Sequence, residues 1–584
     1  MKDLAPAIQR DFELNGLKLS KRIKAKIAAN LLALFPPDPN MVHSSRLQKK
    51  LSKWASRADI RTHGRNGEAQ HALPGIQPAK LVLSETYATS RSSWDRFLDK
   101  LSETTASRTR CRKILTVVSE GAKVKTRGYS RCFDTDIRLS GHSDLAQSVK
   151  DLKNEDWVLF AQAQDCILLG QLDYLTNETL AETQIVIPDL GMIYDDQVHP
   201  VLAPGANYLF ALNCPLQHSR FFARAGAVRE AKSRGAVTAQ DIALNLLETA
   251  HRSRKRHQAV AAGRPMIETH GERGELANLR AKMAVAADAV LPSPSGPVAS
   301  GAVDLSQFNG VSVVICTKDK GFYIRQLVAR LLAYPEQIVR DVIIVSNNTT
   351  NIHALETLRC AAKQERVKLF RFDGPFHFSA QSNLGARHAR GEMVLFLNDD
   401  IVPIGERWLE ELMAPFVDPN TVATGPLLLY PDERIQHAGM VLGHGDVAGH
   451  FLRGHKLPDQ EFNVFASAPR FVSCVTGAAL LVRKADFDAV NGFDRSLRLW
   501  IQDVDLCMRL SASGGKIVFN PKSTLFHMES LSVRDTLDNS ETARARGREL
   551  DYFRRRWPPL ARRDPYHPAL LDKRDLTCRR LIQS

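Results

Sequence analysis

The stretch Gly391-Glu392-Met393-Val394-Leu395-Phe396-Leu397-Asn398-Asp399-Asp400-Ile401 decides the fold. Met393 to Leu397 is a short apolar run with a polar stop. Such a run is too short for an ordinary helix and fits a buried strand. It ends on an amide and two carboxylates. At the C-terminal edge of a parallel sheet, that is where an open α/β fold binds its ligand. Carboxylates placed there can hold Mg²⁺ or Mn²⁺, and the ion can hold a diphosphate. A solvated Asx turn capping the strand is the other reading of the same residues. The neighbouring sequence has to choose between them.

Upstream of this stretch, strand and helix patterns alternate. Residues 311–316 are a β-branched run ending in Thr317-Lys318-Asp319, and a helical pattern follows over 323–333. Residues 342–345 form a second strand ending in Ser346-Asn347-Asn348, with a helix over 351–364. A third strand spans 367–370, a helix 379–390, and the quoted stretch is the fourth strand. Strands at this spacing need right-handed parallel crossovers, which gather the polar loops on one edge. The chain has neither GxGxxG nor GxxxxGK[ST], so a dinucleotide fingerprint and a P-loop are both unsupported.

An earlier region repeats the pattern. Ala146-Gln147-Ser148 precedes Trp157-Val158-Leu159-Phe160, as Ala380-Gln381-Ser382 precedes Met393-Val394-Leu395-Phe396. Gln240-Asp241-Ile242-Ala243-Leu244 echoes Gln502-Asp503-Val504-Asp505-Leu506. Aligning the two VLF strings puts Gln162-Ala163-Gln164 opposite Asn398-Asp399-Asp400. Uncharged amides are poor ligands for a hard cation, so the first copy is expected to lack a metal site. The domains expected are a basic helical segment (1–74), a degenerate α/β domain (75–283), a Pro/Ser/Gly-rich linker (284–310), the informative domain (311–540) and a basic tail (541–584).

Several ordered strings then converge on one resemblance. They are Phe376-His377-Phe378-Ser379-Ala380-Gln381-Ser382-Asn383, Leu397-Asn398-Asp399-Asp400-Ile401, Ile435-Gln436-His437-Ala438-Gly439, Gln502-Asp503-Val504-Asp505-Leu506-Cys507 and His527-Met528-Glu529-Ser530. Together they resemble family 2 glycosyltransferases of the GT-A fold, and most of all the rhamnosyltransferase-like, often tandem, enzymes of bacterial surface polysaccharides. The resemblance covers residues 311–540 and, more weakly, 75–283. It implies an open, mostly parallel α/β sheet that binds a nucleotide sugar, and a divalent metal, Mg²⁺ or Mn²⁺. Asn398, Asp399 and Asp400 stand at the family's DxD motif, with Asp400 and His527 as the implied metal ligands. Asp503 stands where the family has its catalytic base. Thr317, Asp319, Ser346 and Asn383 stand at donor-binding positions, although many relatives have Asp in place of Ser346. The expected donor is a UDP-, dTDP- or GDP-sugar, and the expected acceptor a glycan or lipid-linked glycan. Configuration at the sugar would be inverted in a single displacement. A catalytically inactive scaffold and a nucleotidyltransferase are the alternatives; the latter would want a basic phosphate loop, for which Lys318 and Lys320 are thin support.

Composition bounds the setting. The 584 residues are too many for one ordinary core. The nine Cys include no Cys-x-x-Cys pair, so neither a zinc site nor a disulfide framework is indicated. No run reaches the ~18 apolar residues of a membrane helix, and Met1-Lys2-Asp3-Leu4-Ala5-Pro6 does not open a signal peptide. A cytoplasmic protein is expected. The net charge of +15 is uneven: residues 1–74 hold 14 Lys/Arg against 6 Asp/Glu, and residues 541–584 hold 12 against 6. Basic ends suit contact with an anionic membrane face, or are solvated helices. No nucleic acid partner is expected.

Overall fold

The computed structural model describes residues 145–161, 165–253 and 258–270 with short breaks, residues 289–557 with breaks at 445–446, 457–462 and 529–539, and residues 564–567. Before these it describes the backbone of strands at 89–90, 113–118, 125–127 and 133–140. The helical stretches expected at 17–34 and 44–58, and Gln162-Ala163-Gln164, lie outside the described residues.

Two sheets carry the fold, and they share one plan. The first contains β1 (Lys113–Val118), β2 (Phe133–Ser140), β3 (Trp157–Phe160), β4 (Asp165–Leu168), β5 (Ile185–Tyr194), β6 (Phe221–Arg224) and β7 (Ala259–His270). They lie in the order β2-β1-β3-β6-β5-β7-β4. Strands β2, β1 and β3 are parallel, β6 is antiparallel to β3 and β5, and β7 is parallel to β5 and antiparallel to β4. Helices α1 (Ala225–Ser233) and α2 (Ala239–Arg252) fall between β6 and β7.

The second sheet contains β8 (Val311–Thr317), β9 (Val339–Asn347), β10 (Val367–Phe372), β11 (Met393–Leu397), β12 (Ile401–Ile404), β13 (Thr421–Leu429), β14 (Ile435–His437), β15 (Ala479–Arg483) and β16 (Lys516–His527). Its path β9-β8-β11-β15-β13-β16-β12 repeats the first order, with the same strand senses throughout. The register also agrees: Trp157 faces Arg224 across β3 and β6, and Met393 faces Arg483 across β11 and β15. Strand β10 extends the parallel edge beyond β9, and β14 pairs with β13. The α/β class expected from the sequence is therefore present, with a second sheet that is parallel from β10 to β11, mixed beyond it, and flanked by helices.

Burial explains why β11 reads as a continuous apolar run. Met393, Leu395 and Leu397 point into one core, beneath helices α3 (Gly321–Leu332), α4 (Ile352–Ala361) and α6 (Trp408–Met413). Val394 and Phe396 point into the other, which includes Ala386 of α5 (Phe378–Ala386), Phe487 of α7 (Lys484–Ala489) and Val504 of α8 (Gln502–Ala512). A strand covered on both faces has no solvated side to alternate with. Each of these side chains contributes roughly 1.5–3 kcal/mol by burial. Gly391 begins the stretch because a Cβ there would sit 2.6 Å from Ser312 N and 2.8 Å from Gly310 O.

Two expectations are corrected. Residues 289–310 are not a solvated spacer: Val290–Leu291 and Val298–Ala299 pair as a short hairpin, and Leu291 and Phe308 are buried. Leu291 packs in the core of the first domain, so a sequence rich in Pro and Ser still offers it apolar anchors. The basic C-terminal segment is not a free tail. It forms α9 (Ser540–Arg556), whose Phe553 is buried in the core of the second domain. Its many arginines mask an amphipathic face.

The two domains are joined by specific polar contacts. The Asn207 amide donates to Phe471 O (2.9 Å) and accepts from Phe471 N (3.2 Å) with its side chain fully buried. His251 Nε2 of α2 lies 2.9 Å from Asp418 Oδ2. Asn207→Ala strands two buried backbone groups of Phe471. It is expected to lower unfolding stability by about 2–4 kcal/mol, seen as a reduced urea midpoint at an unchanged slope.

Candidate active site

The parallel strands β8, β9 and β11 end on one edge. Thr317 and Ser346 are register partners there, and Asn398-Asp399-Asp400 follows β11 directly. The approach to this edge is pinned. Ser312 Oγ accepts from Arg390 N (2.9 Å) and Gly391 N (2.8 Å), and the buried Asp341 of β9 takes Arg390 Nε (3.1 Å) and Lys368 Nζ (2.8 Å).

Asp399 and Asp400 are both nearly buried at the strand end. Thr317 Oγ1 donates to Asp399 Oδ2 (2.7 Å). Lys320 Nζ lies 3.4 Å from Asp400 Oδ2 and 3.9 Å from Asp399 Oδ1. Burial pushes the Asp399 carboxyl up to about 6, against the pull of Lys320, and the adjacent Asp400 charge adds to the rise. The pair therefore sits in a setting that demands positive charge.

His527 supplies the remaining side. It ends β16, which pairs antiparallel with β12, and that pairing sets Ile401 opposite His527. Its Nε2 lies 3.2 Å from Asp400 Oδ1 and 3.3 Å from Asn398 Nδ2. Its Nδ1 lies 2.6 Å from Gln436 Oε1, the buried amide of β14. An amide oxygen can only accept, so Nδ1 carries the proton and donates, and Nε2 is the nitrogen that faces Asp400.

This arrangement fits a divalent ion. Two neighbouring ligands of an octahedron with bonds of ~2.1 Å stand roughly 3 Å apart, and His527 Nε2 to Asp400 Oδ1 is 3.2 Å. A ligand histidine whose other ring nitrogen donates to a fixed acceptor is the usual pattern at metal sites. No group of three or more His, Cys, Asp or Glu forms a metal-holding cluster among the described residues. Two protein ligands suit an ion that completes its shell with substrate oxygens and water.

Asp503 is held at the first turn of α8. Its Oδ2 accepts from Gly477 N (2.8 Å) and its Oδ1 from Val504 N (2.9 Å). The adjoining Ala478 O accepts from Asn398 N (2.9 Å), so the Gly477-Ala478 turn joins Asp503 to the β11 stretch. Burial raises the Asp503 carboxyl above its ordinary range, while the backbone donors pull the other way. Ile501, just before the helix, has φ +53°. A β-branched residue in that region costs about 1–2 kcal/mol, so the loop has to be held from outside.

Asp503 lines a cleft of 520 Å³ with His444, His450, Trp500 and, from α9, Arg546 and Leu550. It is the one acid among the described residues lining that cleft. His437 Nδ1 and His450 Nδ1 lie 3.1 Å apart behind it. Burial lowers both rings, His450 to about 3, so neither is an acid or base near neutral pH.

The other sequence candidates are placed differently. Asp319 Oδ1 accepts from Thr350 N and Asn351 N (both 2.7 Å), tying down the loop before α4. Ser346 donates to Thr349 Oγ1 (2.8 Å). The Asn383 amide donates to Phe493 O (2.8 Å) and accepts from Phe493 N (2.9 Å). Both polar ends are thus taken up in fixing the Gly492-Phe493 turn. Asp505 is buried against Arg509 (2.7 Å) and Trp557 Nε1 (3.0 Å) and anchors the C-terminal segment. Sequence reading passed over Gln436 and gave Lys320 little weight. The signal for Gln436 was an amide inside a buried strand, which requires a partner.

Residues 312–484 match the model of glycosyl transferase family 2. The chain is 34% identical over 332 residues to the uncharacterized protein y4gI of Sinorhizobium fredii, covering 55% of this chain and 35% of that protein. It is 35% identical over 225 residues to the O-antigen biosynthesis protein RfbC of Myxococcus xanthus, covering 38% of this chain and 18% of that protein. It is 25% identical over 227 residues to the rhamnosyltransferase WbbL of Escherichia coli, covering 37% of this chain and 83% of that protein. The matched region thus spans about a third of the length of the first relative and less than a fifth of the second.

Gln436→Leu removes the acceptor that fixes the His527 tautomer. It is expected to weaken Mn²⁺ binding about 10- to 100-fold in calorimetric titration; an unchanged affinity would exclude His527 as a ligand. Strand order, strand-end carboxylates and family model thus agree in likening the domain that contains residues 312–484 to glycosyl transferase family 2.

Proposed function

We propose that this chain transfers a sugar, a hexose or deoxyhexose, from a nucleotide-sugar donor to a growing surface glycan, with inversion at the anomeric carbon. The observation that carries this reading is the link between two parts. A strand-end carboxylate pair suited to a cation and diphosphate is joined by one turn to Asp503, the acid in the adjoining cleft.

Asp400 and His527 would hold Mg²⁺ or Mn²⁺, which when bound supplies Lewis-acid stabilisation of the departing diphosphate. Thr317 and Lys320 hold Asp399 in place and balance its charge. Asp503 takes the proton from the acceptor hydroxyl as that oxygen attacks the anomeric carbon. Burial makes it a stronger base than an exposed carboxylate, and its two backbone donors fix its direction. With Asp503 as base, the reaction is a single displacement, which inverts the configuration. His450 stays neutral and shapes the wall.

In the first domain the counterpart of Asp503 does something else. Asp241 of α2 is exposed and closes a capping box with Thr238, accepting from Thr238 N (2.8 Å) while Thr238 Oγ1 accepts from Asp241 N (3.1 Å). That use supports a non-catalytic role for the first copy in structure or acceptor binding. Among the described residues no helix is long and apolar enough to cross a membrane. Contact with an anionic membrane through the basic ends is part of the proposal.

The test is product release from UDP-, dTDP- and GDP-sugars with Mn²⁺ or Mg²⁺. Free nucleoside diphosphate supports the transferase. Pyrophosphate release would mark a nucleotidyltransferase, and donor binding without turnover a scaffold. Asp503→Asn is expected to lower kcat about 10²- to 10⁴-fold. The base acts ionised and its carboxyl is raised, so activity falls as pH drops through a limb lying above the ordinary aspartate value of about 3.9. An acid limb at or below that value would remove Asp503 from the role. Asp241→Ala is expected to cost about 1 kcal/mol of stability with turnover unchanged.

A further inference from the structure

The loop that delivers Asp503 has no secondary structure of its own between the Gly492 turn and α8, and it ends on Ile501 in a left-handed conformation. What holds it comes from α9. Glu549 is 5% exposed, and its carboxylate accepts three backbone N–H groups in a row: Arg498 N (3.0 Å), Leu499 N (3.4 Å) and Trp500 N (2.9 Å). A carboxylate is acceptor-only and can take several donors at once, so it suits three converging N–H groups. On the other side, Phe378 N donates to Arg498 O (2.8 Å), which ties the loop to α5. Two residues beyond the Glu549 contacts lies Gln502, the first residue of α8, and then Asp503.

The same helix also builds the cleft. Arg546 stands over the Trp500 ring at 4.8 Å, and Arg546, Leu550, Trp500 and Asp503 share one lining. Further along, Tyr552 Oη (2.7 Å) and Arg556 (2.7 Å) both bind Asp494, and Trp557 Nε1 reaches Asp505 (3.0 Å). These contacts bracket the Asp503 loop, and Glu549 holds the Arg498–Trp500 segment that ends it.

We infer that Glu549 is a positioning residue: through the Arg498–Trp500 backbone it sets the direction of Asp503 and the place of Trp500 in the cleft. The inference rests on the proposed role of Asp503 as base. It assigns to the C-terminal helix a part in turnover.

The test uses the full chain with Glu549→Gln and Glu549→Ala. Gln keeps one acceptor oxygen and turns an NH₂ toward the remaining donors, so it is the milder change. Four readouts are taken: kcat for nucleoside-diphosphate release, nucleotide-sugar affinity by calorimetry, melting temperature, and hydrogen exchange of peptides covering 496–504. The expected result is kcat lowered about 10- to 100-fold in Glu549→Ala and less in Glu549→Gln. Donor affinity would stay within about twofold of the parent protein, and exchange would be faster at Arg498, Leu499 and Trp500. Unchanged kcat in Glu549→Ala, or kcat falling only in step with donor affinity and melting temperature, would overturn the inference. Should the parent protein release no diphosphate from any donor, the proposed reaction fails first. The exchange readout then decides the positioning claim alone, and unchanged exchange over 498–503 rejects it.

Discussion

Two carboxylates buried side by side at the end of one strand are the constraint around which the second domain is arranged. Like charges in a poorly solvated place repel, and each resists losing its water. Asp399 and Asp400 are held there by groups from three separate elements: Thr317 at the end of β8, Lys320 at the start of α3 and His527 at the end of β16. Each partner reaches the pair because its own strand or helix is locked into the sheet. Apolar burial on both faces of β11 thus sets the position, and electrostatics set which side chains gather around it. Lys320 offsets part of that charge, and His527 closes the remaining side.

The second determinant is a loop that could not hold itself. Residues 492–501 carry a glycine turn and a left-handed isoleucine, and they lead straight into the helix that presents Asp503. Asn383 fixes the beginning of the loop through Phe493, and Glu549 fixes its end through three backbone groups. Neither residue belongs to the loop in sequence. Asp503 is therefore positioned by α5 and α9 together.

The first domain keeps the plan of the second in strand order, sense and register, yet its helix-start aspartate is exposed and closes a capping box. The scaffold is preserved by burial, as Val158 and Phe160 show in the position of Val394 and Phe396. Packing of β3 by itself requires no charged stop after the strand. Contacts such as Asn207 with Phe471 and His251 with Asp418 make the first domain a fixed neighbour of the second.

Sequence alone determined the α/β class, the strand at Met393–Leu397 and the strand-end polar residues, because burial on both faces forces a contiguous apolar run that polar loops must end. It also marked the echo between the two halves, because paired strands of equal burial demand similar strings. Only the tertiary structure decided which polar residues meet. Thr317 and Asp399 are 82 positions apart, Gln436 and His527 are 91, and Arg498 and Glu549 are 51. No local pattern links such pairs, since each is brought together by the pairing of its own strand or the docking of its own helix. The same distance hid the true nature of the C-terminal segment: its arginines read as a basic tail, while Phe553 and Glu549 fall on the one face that packing selects.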